Sequence, residues 1–275
     1  MLTTTEFRAL HRPGSPVLLP NAWDLASARW LAAAGHRAIG TTSLGIAVDA
    51  GKRDGAGEIA AESLALARAA AAHGIALSVD LEAGFSDDPD EVGRYVGELA
   101  AIGCVGVNIE DSTEHGDLVD PEHAAAKVAA ISAAAPGLYL NARTDGYWVA
   151  SERDAADRFD DAVARARRYL AAGASGVFVP GALETATVSD LVRAIEAPLN
   201  VLVQADVPLS RLAELGVARV STGSLLFRTA LGSITAAVEA LVADAETSSG
   251  PPGTPPGAPT APSYAAIAGL PLAPR

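Results

Sequence analysis

The stretch "AAHGIALSVDLEAGF", residues 71–85, decides how the rest of the chain is read. An alanine-rich helical end stops at a glycine, a short apolar run follows, and Asp80 and Glu82 stand at its close. Glycine just past a helix supplies the left-handed cap, and an apolar run of this length flanked by glycines reads as a buried strand. Residues two apart in a strand face the same side, so the two carboxylates are forced into one small volume. That repulsion needs a reason.

Outward from this stretch the same order recurs, in "AIGCVGVNIED" at 101–111 and "AAGASGVFVPG" at 171–181. Strand-like runs begin at 17 (VLLP), 38 (AIGTT), 76 (ALSVDLE), 106 (GVNIED), 138 (LYLNART), 176 (GVFVPG), 199 (LNVLV) and 219 (RVSTG). Amphipathic, alanine-rich segments fill the gaps, for instance 58–73, 88–101, 152–172 and 224–244. Eight such units predict an α/β fold, a (β/α)8 TIM barrel over residues 1–246, with a doubly wound open sheet as the alternative. Polar residues gather where the strands end: Asn21, Thr42, Asp80, Glu82, Glu110, Asp111, Asn141 and Arg143. In a parallel barrel that end carries the active site.

Composition narrows the partners. The chain has 275 residues, is 49% hydrophobic and 19% charged, and carries a net charge of −13, which disfavours nucleic acid and anionic membrane surfaces. A single cysteine, Cys104, excludes an intrachain disulfide or a cysteine-based zinc cluster and reads as a small buried residue. With no secretory leader pattern and no uninterrupted apolar run of spanning length, a cytoplasmic protein is expected. Residues 247–262, "TSSGPPGTPPGAPTAP", read as a Pro/Gly-rich linker. They precede a C-terminal helix in 263–275 whose "SYAAIAGL" is either a frayed tail or a piece docked on a neighbouring subunit of a homo-oligomer.

The carboxylates set the chemistry. Asp80 and Glu82, Glu110 and Asp111 from the next strand, and Asp54 from the preceding loop converge on one mouth. A divalent cation neutralises such a set, and oxygen donors without His or Cys select a hard ion, Mg²⁺ or Mn²⁺. Asp111 could equally cap a helix or pair with a base. Arg143 either grips a substrate carboxylate or neutralises Glu110. The segment "GTTSLGIA" offers the hydroxyls of Thr42 and Ser43 beside a glycine-flanked backbone.

Together, "GTTSLGIAVDAGKRDG", "SVDLEAGF", "GVNIEDS" and "NARTD" resemble the isocitrate lyase and phosphoenolpyruvate mutase superfamily, over about residues 5–245. The resemblance implies a Mg²⁺ enzyme acting on 2-oxo acids through an enolate. It implies Asp80 as principal metal ligand, with Glu82, Glu110 and Asp54 holding the ion through waters. Arg143 and the Thr42, Ser43, Leu44 segment would bind the substrate carboxylate, and subunits would exchange the C-terminal helix in dimers or tetramers. Departures matter as much. The segment "IEDSTEHGDLVD" lacks the Lys-Lys/Arg-Cys-Gly-His loop of the family's isocitrate-type lyases and the Lys and Asn of its phosphonate branches, and Pro180 and Gly181 stand where lyases carry a Glu.

Candidate catalytic groups are therefore Arg143, Asp54 and His115, the last either a loop acid or a solvated histidine. Trp23 is expected over the substrate or packed between loops, and Asn200 facing the mouth. The reaction needing fewest protein groups is loss of CO₂ from a β-carboxylate, so oxaloacetate decarboxylation leads. A methylisocitrate-type lyase and a 2-oxo acid binding protein without turnover are the rivals, and a phosphonopyruvate enzyme ranks below them.

Overall fold

The computed structural model describes residues 2–149, 154–247 and 270. Its strands are β1 (Val17–Leu19), β2 (Asn21–Ala22), β3 (Ile39–Thr41), β4 (Leu77–Asp80), β5 (Gly106–Ile109), β6 (Tyr139–Arg143), β7 (Gly176–Phe178), β8 (Leu199–Leu202) and β9 (Arg219–Ser221). The helices are α1 (Thr4–Leu10), α2 (Leu25–Ala33), α3 (Ser43–Asp49), α4 (Ala60–Ala72), α5 (Pro89–Ile102), α6 (Pro121–Ala134), α7 (Ala155–Ala171), α8 (Thr185–Ala194), α9 (Leu209–Glu214) and α10 (Leu225–Thr247).

Every strand pairing is parallel, and the order β1-β9-β8-β7-β6-β5-β4-β3-β2 runs round a (β/α)8 barrel. The nine strands make eight staves because β1 and β2 are one stave broken at Pro20, which has no N–H to give to a ladder. β1 keeps its register with β9, Val17 opposite Arg219, while β2 pairs with β3, Asn21 opposite Gly40. At the break the Asn21 side chain supplements the backbone pairing. Its Oδ1 accepts from the N–H groups of Thr222 and Gly223, both at 3.0 Å, and its Nδ2 donates to the Thr41 carbonyl at 2.7 Å.

Unlike a barrel filled by branched aliphatics, this interior is partly polar. Asn141 on β6 donates to Asn108 Oδ1 on β5 at 3.0 Å, and Ser221 on β9 donates to Asn200 Oδ1 on β8 at 3.2 Å. Arg219 is fully buried and its Nε donates to Ser221 Oγ at 2.9 Å. Burial lowers its pKa to about 10, so it remains a cation at neutral pH. Helix α1 plugs the floor: Phe7 meets the Tyr139 ring edge-on at 5.6 Å and His11 stacks on it at 3.8 Å. Burial pushes His11 down to about 3, so the stacked imidazole is neutral.

Cys104 is buried in the core between α5 and β5, and burial raises its thiol to about 12, which makes it inert. Helix α10 leaves the barrel with Phe227 against Trp23 (ring centroids 5.3 Å apart) and then runs uncovered. Its Leu225–Ala243 portion is long and apolar enough, by length and composition, to cross a membrane, which the sequence reading of short apolar runs did not anticipate. Arg228 and Glu239 interrupt that run, and spacing rather than bulk hydrophobicity marks its apolar face. Of the expected linker and tail, 248–269 and 271–275 lie outside the described residues. Leu270 is buried, and its carbonyl accepts from Arg29 Nη2 at 2.6 Å.

Gly106 leaves no room for a side chain: a Cβ there would stand 2.8 Å from Phe7 and 2.9 Å from the Tyr139 carbonyl. Gly106→Ala should therefore cost about 1–3 kcal/mol, read as a lowered urea midpoint at unchanged slope. An unaltered midpoint would show that the α1 plug is not packed as described.

Candidate active site

At the C-terminal ends of the strands lies a cavity of about 290 Å³, at the lower edge of the range of small-molecule sites. Asp54, Asp80, Glu110 and Arg143 line it, with Thr42, Ser43 and Leu44 alongside. Asp80 ends β4, and its carboxylate is aimed by the chain around it. The Ser43 N–H donates to Asp80 Oδ2 at 3.1 Å, and the Asp80 N–H donates to Thr41 Oγ1 at 2.8 Å. The segment read as a loop at 42–44 is thus the start of α3, with Thr42 as its cap residue.

Arg143 ends β6 and lies between two acids. Nη1 is 2.7 Å from Glu110 Oε2, and Nε is 2.6 Å from Asp145 Oδ1. Of the two roles open to it from sequence, neutralisation of Glu110 is the one these contacts display, leaving Nη2 uncommitted among the described residues. Asp145 is fully buried and also accepts from Ser112 Oγ at 2.6 Å. The guanidinium carbon lies 5.9 Å from the Trp148 ring centroid and 5.6 Å from that of Phe178.

Other residues singled out from the sequence stand elsewhere. Glu82 is buried with a left-handed backbone (φ 49°), its oxygens accepting from Gly55 N–H at 3.1 Å and Gly57 N–H at 2.7 Å. It therefore holds the loop that carries Asp54. Asp111 turns outward from the mouth: it accepts from Tyr169 Oη at 2.6 Å, Arg165 Nη1 at 3.1 Å and the Asp145 N–H at 2.8 Å. His115 lies on an exposed loop beside Glu114, 3.8 Å away, and borders a neighbouring groove rather than the cavity. Trp23 packs on Phe227 and closely over Gly45. Asn200 is buried below the cavity floor, held by Ser221.

Sequence reading passed over Asn108, Ser112, Trp148, Phe178 and Leu202, all of which line the cavity. Phe178 and Leu202 lie two residues beyond Gly176 and Asn200 on strands already recognised, so period two was the available signal. Nothing local marked Trp148 or Asp145.

Crowded acids raise one another's affinity for protons. Burial lifts the Asp80 and Glu110 carboxyls above the usual carboxylate range, against the pull of Arg143, and lifts Glu82 to about 7. Among the described residues no three acidic, His or Cys side chains stand close enough to enclose an ion directly. The donor set nevertheless suits Mg²⁺, which keeps most of its waters and needs one or two direct carboxylates. Such an ion would take Asp80 as its direct ligand, with Asp54 and Glu110 of the same cavity as partners through water.

The chain is thus a parallel barrel with an acidic mouth and one arginine at the end of its fifth stave. The chain belongs to the phosphoenolpyruvate phosphomutase family, whose model matches residues 7–242. It is 42% identical to an uncharacterised protein of Mycobacterium tuberculosis over 241 residues, 88% of this chain and 90% of that one. It is 37% identical to a proposed phosphonomutase from Burkholderia cenocepacia J2315, with a TM-score of 0.82 over 87% of this chain and 100% of that one. The structure of 2,3-dimethylmalate lyase shares the fold, with a TM-score of 0.77 at 23% identity over 89% of each chain.

The raised carboxyls carry a pH signature. A carboxyl whose pKa is higher folded than unfolded stabilises the fold below the unfolded value, and that stability is lost as pH rises through the folded value. For Glu82 the loss runs from the ordinary value of 4.5 to about 7. Asp80 and Glu110 are displaced the same way. Melting temperature in a chelator should therefore fall from about pH 6.5, above which neutral His11 adds no further stability, to about pH 8, and added Mg²⁺ should recover more of it at the alkaline end. A flat or rising profile would contradict the burial of these acids.

Proposed function

We propose that this protein is a Mg²⁺- or Mn²⁺-dependent carbon–carbon lyase of 2-oxo acids or related dicarboxylic acids. The observation that carries the reading is the pairing, in one cavity, of the Asp54, Asp80 and Glu110 carboxylates with the single guanidinium of Arg143. Membership of a family of lyases and mutases supports it, as does the superfamily neighbour 2,3-dimethylmalate lyase.

When bound at Asp80, the ion supplies Lewis acidity to a chelated 2-oxo carboxylate. The chain's own residues do the rest. The Ser43 N–H and Thr41 hydroxyl fix Asp80 so that little reorganisation is needed on binding. Arg143 offers Nη2 to a substrate carboxylate, with Glu110 and Asp145 holding the fork in plane. Trp148 and Phe178 flank it and keep water from its faces. Loss of CO₂ from a β-carboxylate asks the protein for no base to deprotonate an alcohol, and the loop after Glu110 supplies no cysteine for that task. Oxaloacetate is the smallest 2-oxo acid that carries such a β-carboxylate.

Pyruvate should form from oxaloacetate and Mg²⁺ faster than in protein-free controls, and Asp80→Asn should lower the rate on the order of 100-fold or more. Turnover by the native chain no higher than by Asp80→Asn would remove decarboxylation of oxaloacetate from the reading.

The reading includes a homo-oligomer. Leu231, Ile234, Val238 and Leu241 of α10 are 46–61% exposed and fall at three- and four-residue spacings, the pattern of a helix seam. Light scattering should report a dimer or tetramer, with the Ile234→Asp, Val238→Asp double variant dissociated but folded by circular dichroism. A native monomer would remove this element.

A further inference from the structure

Resting on the lyase reading, we infer that Asn108 is a further catalytic residue: its side-chain Nδ2 donates to the 2-oxo oxygen of the substrate, the atom that takes up negative charge as the carbon–carbon bond breaks. Three adjacent staves carry the argument. Asp80 ends β4, Asn108 lies in β5 and Arg143 ends β6. In register Asp80 stands opposite Asn108, and Asn108 opposite Asn141, two residues before Arg143 on its strand. Asp80, Asn108 and Arg143 all line the cavity, so Asn108 sits on its floor between the carboxylate proposed to hold the ion and the guanidinium.

The amide is held one way round. Asn141, fully buried, donates its Nδ2 to Asn108 Oδ1 at 3.0 Å. That contact uses the acceptor of Asn108 and leaves its Nδ2 without an acceptor among the described residues. Asn108 is nearly buried, and its remaining exposure is to the cavity. A donor in such a place has lost most of its water and is repaid only when a bound molecule brings an oxygen to it.

The shape of the substrate selects the oxygen. A 2-oxo acid whose carboxylate reaches Arg143 Nη2 on β6, with its chelating edge toward Asp80 on β4, spans the stave between them and lays its 2-oxo oxygen over β5. When the bond to the β-carboxylate breaks, CO₂ leaves, the bonding pair moves into the C2–C3 bond and the carbonyl pair is displaced onto the 2-oxo oxygen. A hydrogen bond to a charged oxygen is stronger than one to a neutral carbonyl, so the Nδ2 contact strengthens along the reaction. A neutral donor also suits the place. A Lys or Arg beside Asp80 would compete with the ion for its carboxylate, and a further acid would add to the charge that burial already disfavours.

Calorimetry on the full chain with saturating Mg²⁺ tests this with two probes: oxalate, which puts a charged oxygen where the 2-oxo oxygen gains its charge, and 2-oxobutanoate, whose carbonyl is neutral. The native chain should bind oxalate only with the ion present. Asn108→Ala should weaken oxalate about 30-fold and 2-oxobutanoate about fivefold, as expected for a donor lost to a charged and to a neutral acceptor. Asn108→Leu, which fills the space without the amide, should do the same, with melting curves reporting that each variant is folded. In a crystal of the native chain grown with Mg²⁺ and oxalate, Nδ2 should stand about 3 Å from an oxalate oxygen, a readout that needs no variant. Equal losses for the two probes, no loss for either, or an oxalate clear of Nδ2 would overturn the role of Asn108 and leave the lyase reading standing. If the native chain does not bind oxalate with the ion, the lyase reading falls and takes this inference with it.

Discussion

The mouth of this barrel holds more negative charge than water-free surroundings tolerate, and one guanidinium makes it tenable. Arg143 joins Glu110 to Asp145, and Asp145 in turn takes the Ser112 hydroxyl and gives its N–H to Asp111. Asp111 passes the chain of contacts outward to Arg165 and Tyr169 on α7. A buried ion pair is weak evidence for stability by itself, because desolvation opposes the Coulomb gain. Its value here is geometric: it fixes which carboxylates face the cavity and which face the helices. Asp80, Asp54 and Glu110 face it, whereas Asp111 and Asp145 brace it.

Much of the architecture was legible because parallel barrels write themselves in a simple repeat. Most staves were visible as a short apolar run after a glycine stop, the one at 199 following a proline instead, and each of the eight runs contains a barrel strand. Pro20 looked like the end of the first run but is an interruption within a stave, a distinction that depends on pairing with the neighbouring β3 and with β9 at the other end of the barrel sequence. Local patterns carry no such information.

The site was legible to the extent that period two and strand ends determine direction. Asp80, Thr42 and Arg143 come to the cavity because they stand at strand ends. Glu82 was read by the same rule, yet the strand stops at Asp80 and the chain turns through a positive φ, so Glu82 points to the Gly55–Gly57 loop instead. Trp23 takes the packed one of its two readings because its partner Phe227 comes from the far end of the sequence, and Asn200 is held by Ser221 on the next strand. The apolar half of the cavity was missed because Phe178 and Leu202 look like ordinary core residues until the barrel closes.

Closure itself has a consequence. A ring of strands has no free margin, so it resists unravelling unless one joint yields, and here one joint is unlike the others. Between β1 and β2 the backbone bonds to the Leu19 and Pro20 carbonyls are supplemented by an amide side chain, Asn21, which clasps Thr222, Gly223 and Thr41. Since local opening begins where backbone bonding is sparsest, the molecule has a built-in hasp beside the entrance, and slow exchange of buried amides should spread from that joint rather than from the acidic arc opposite.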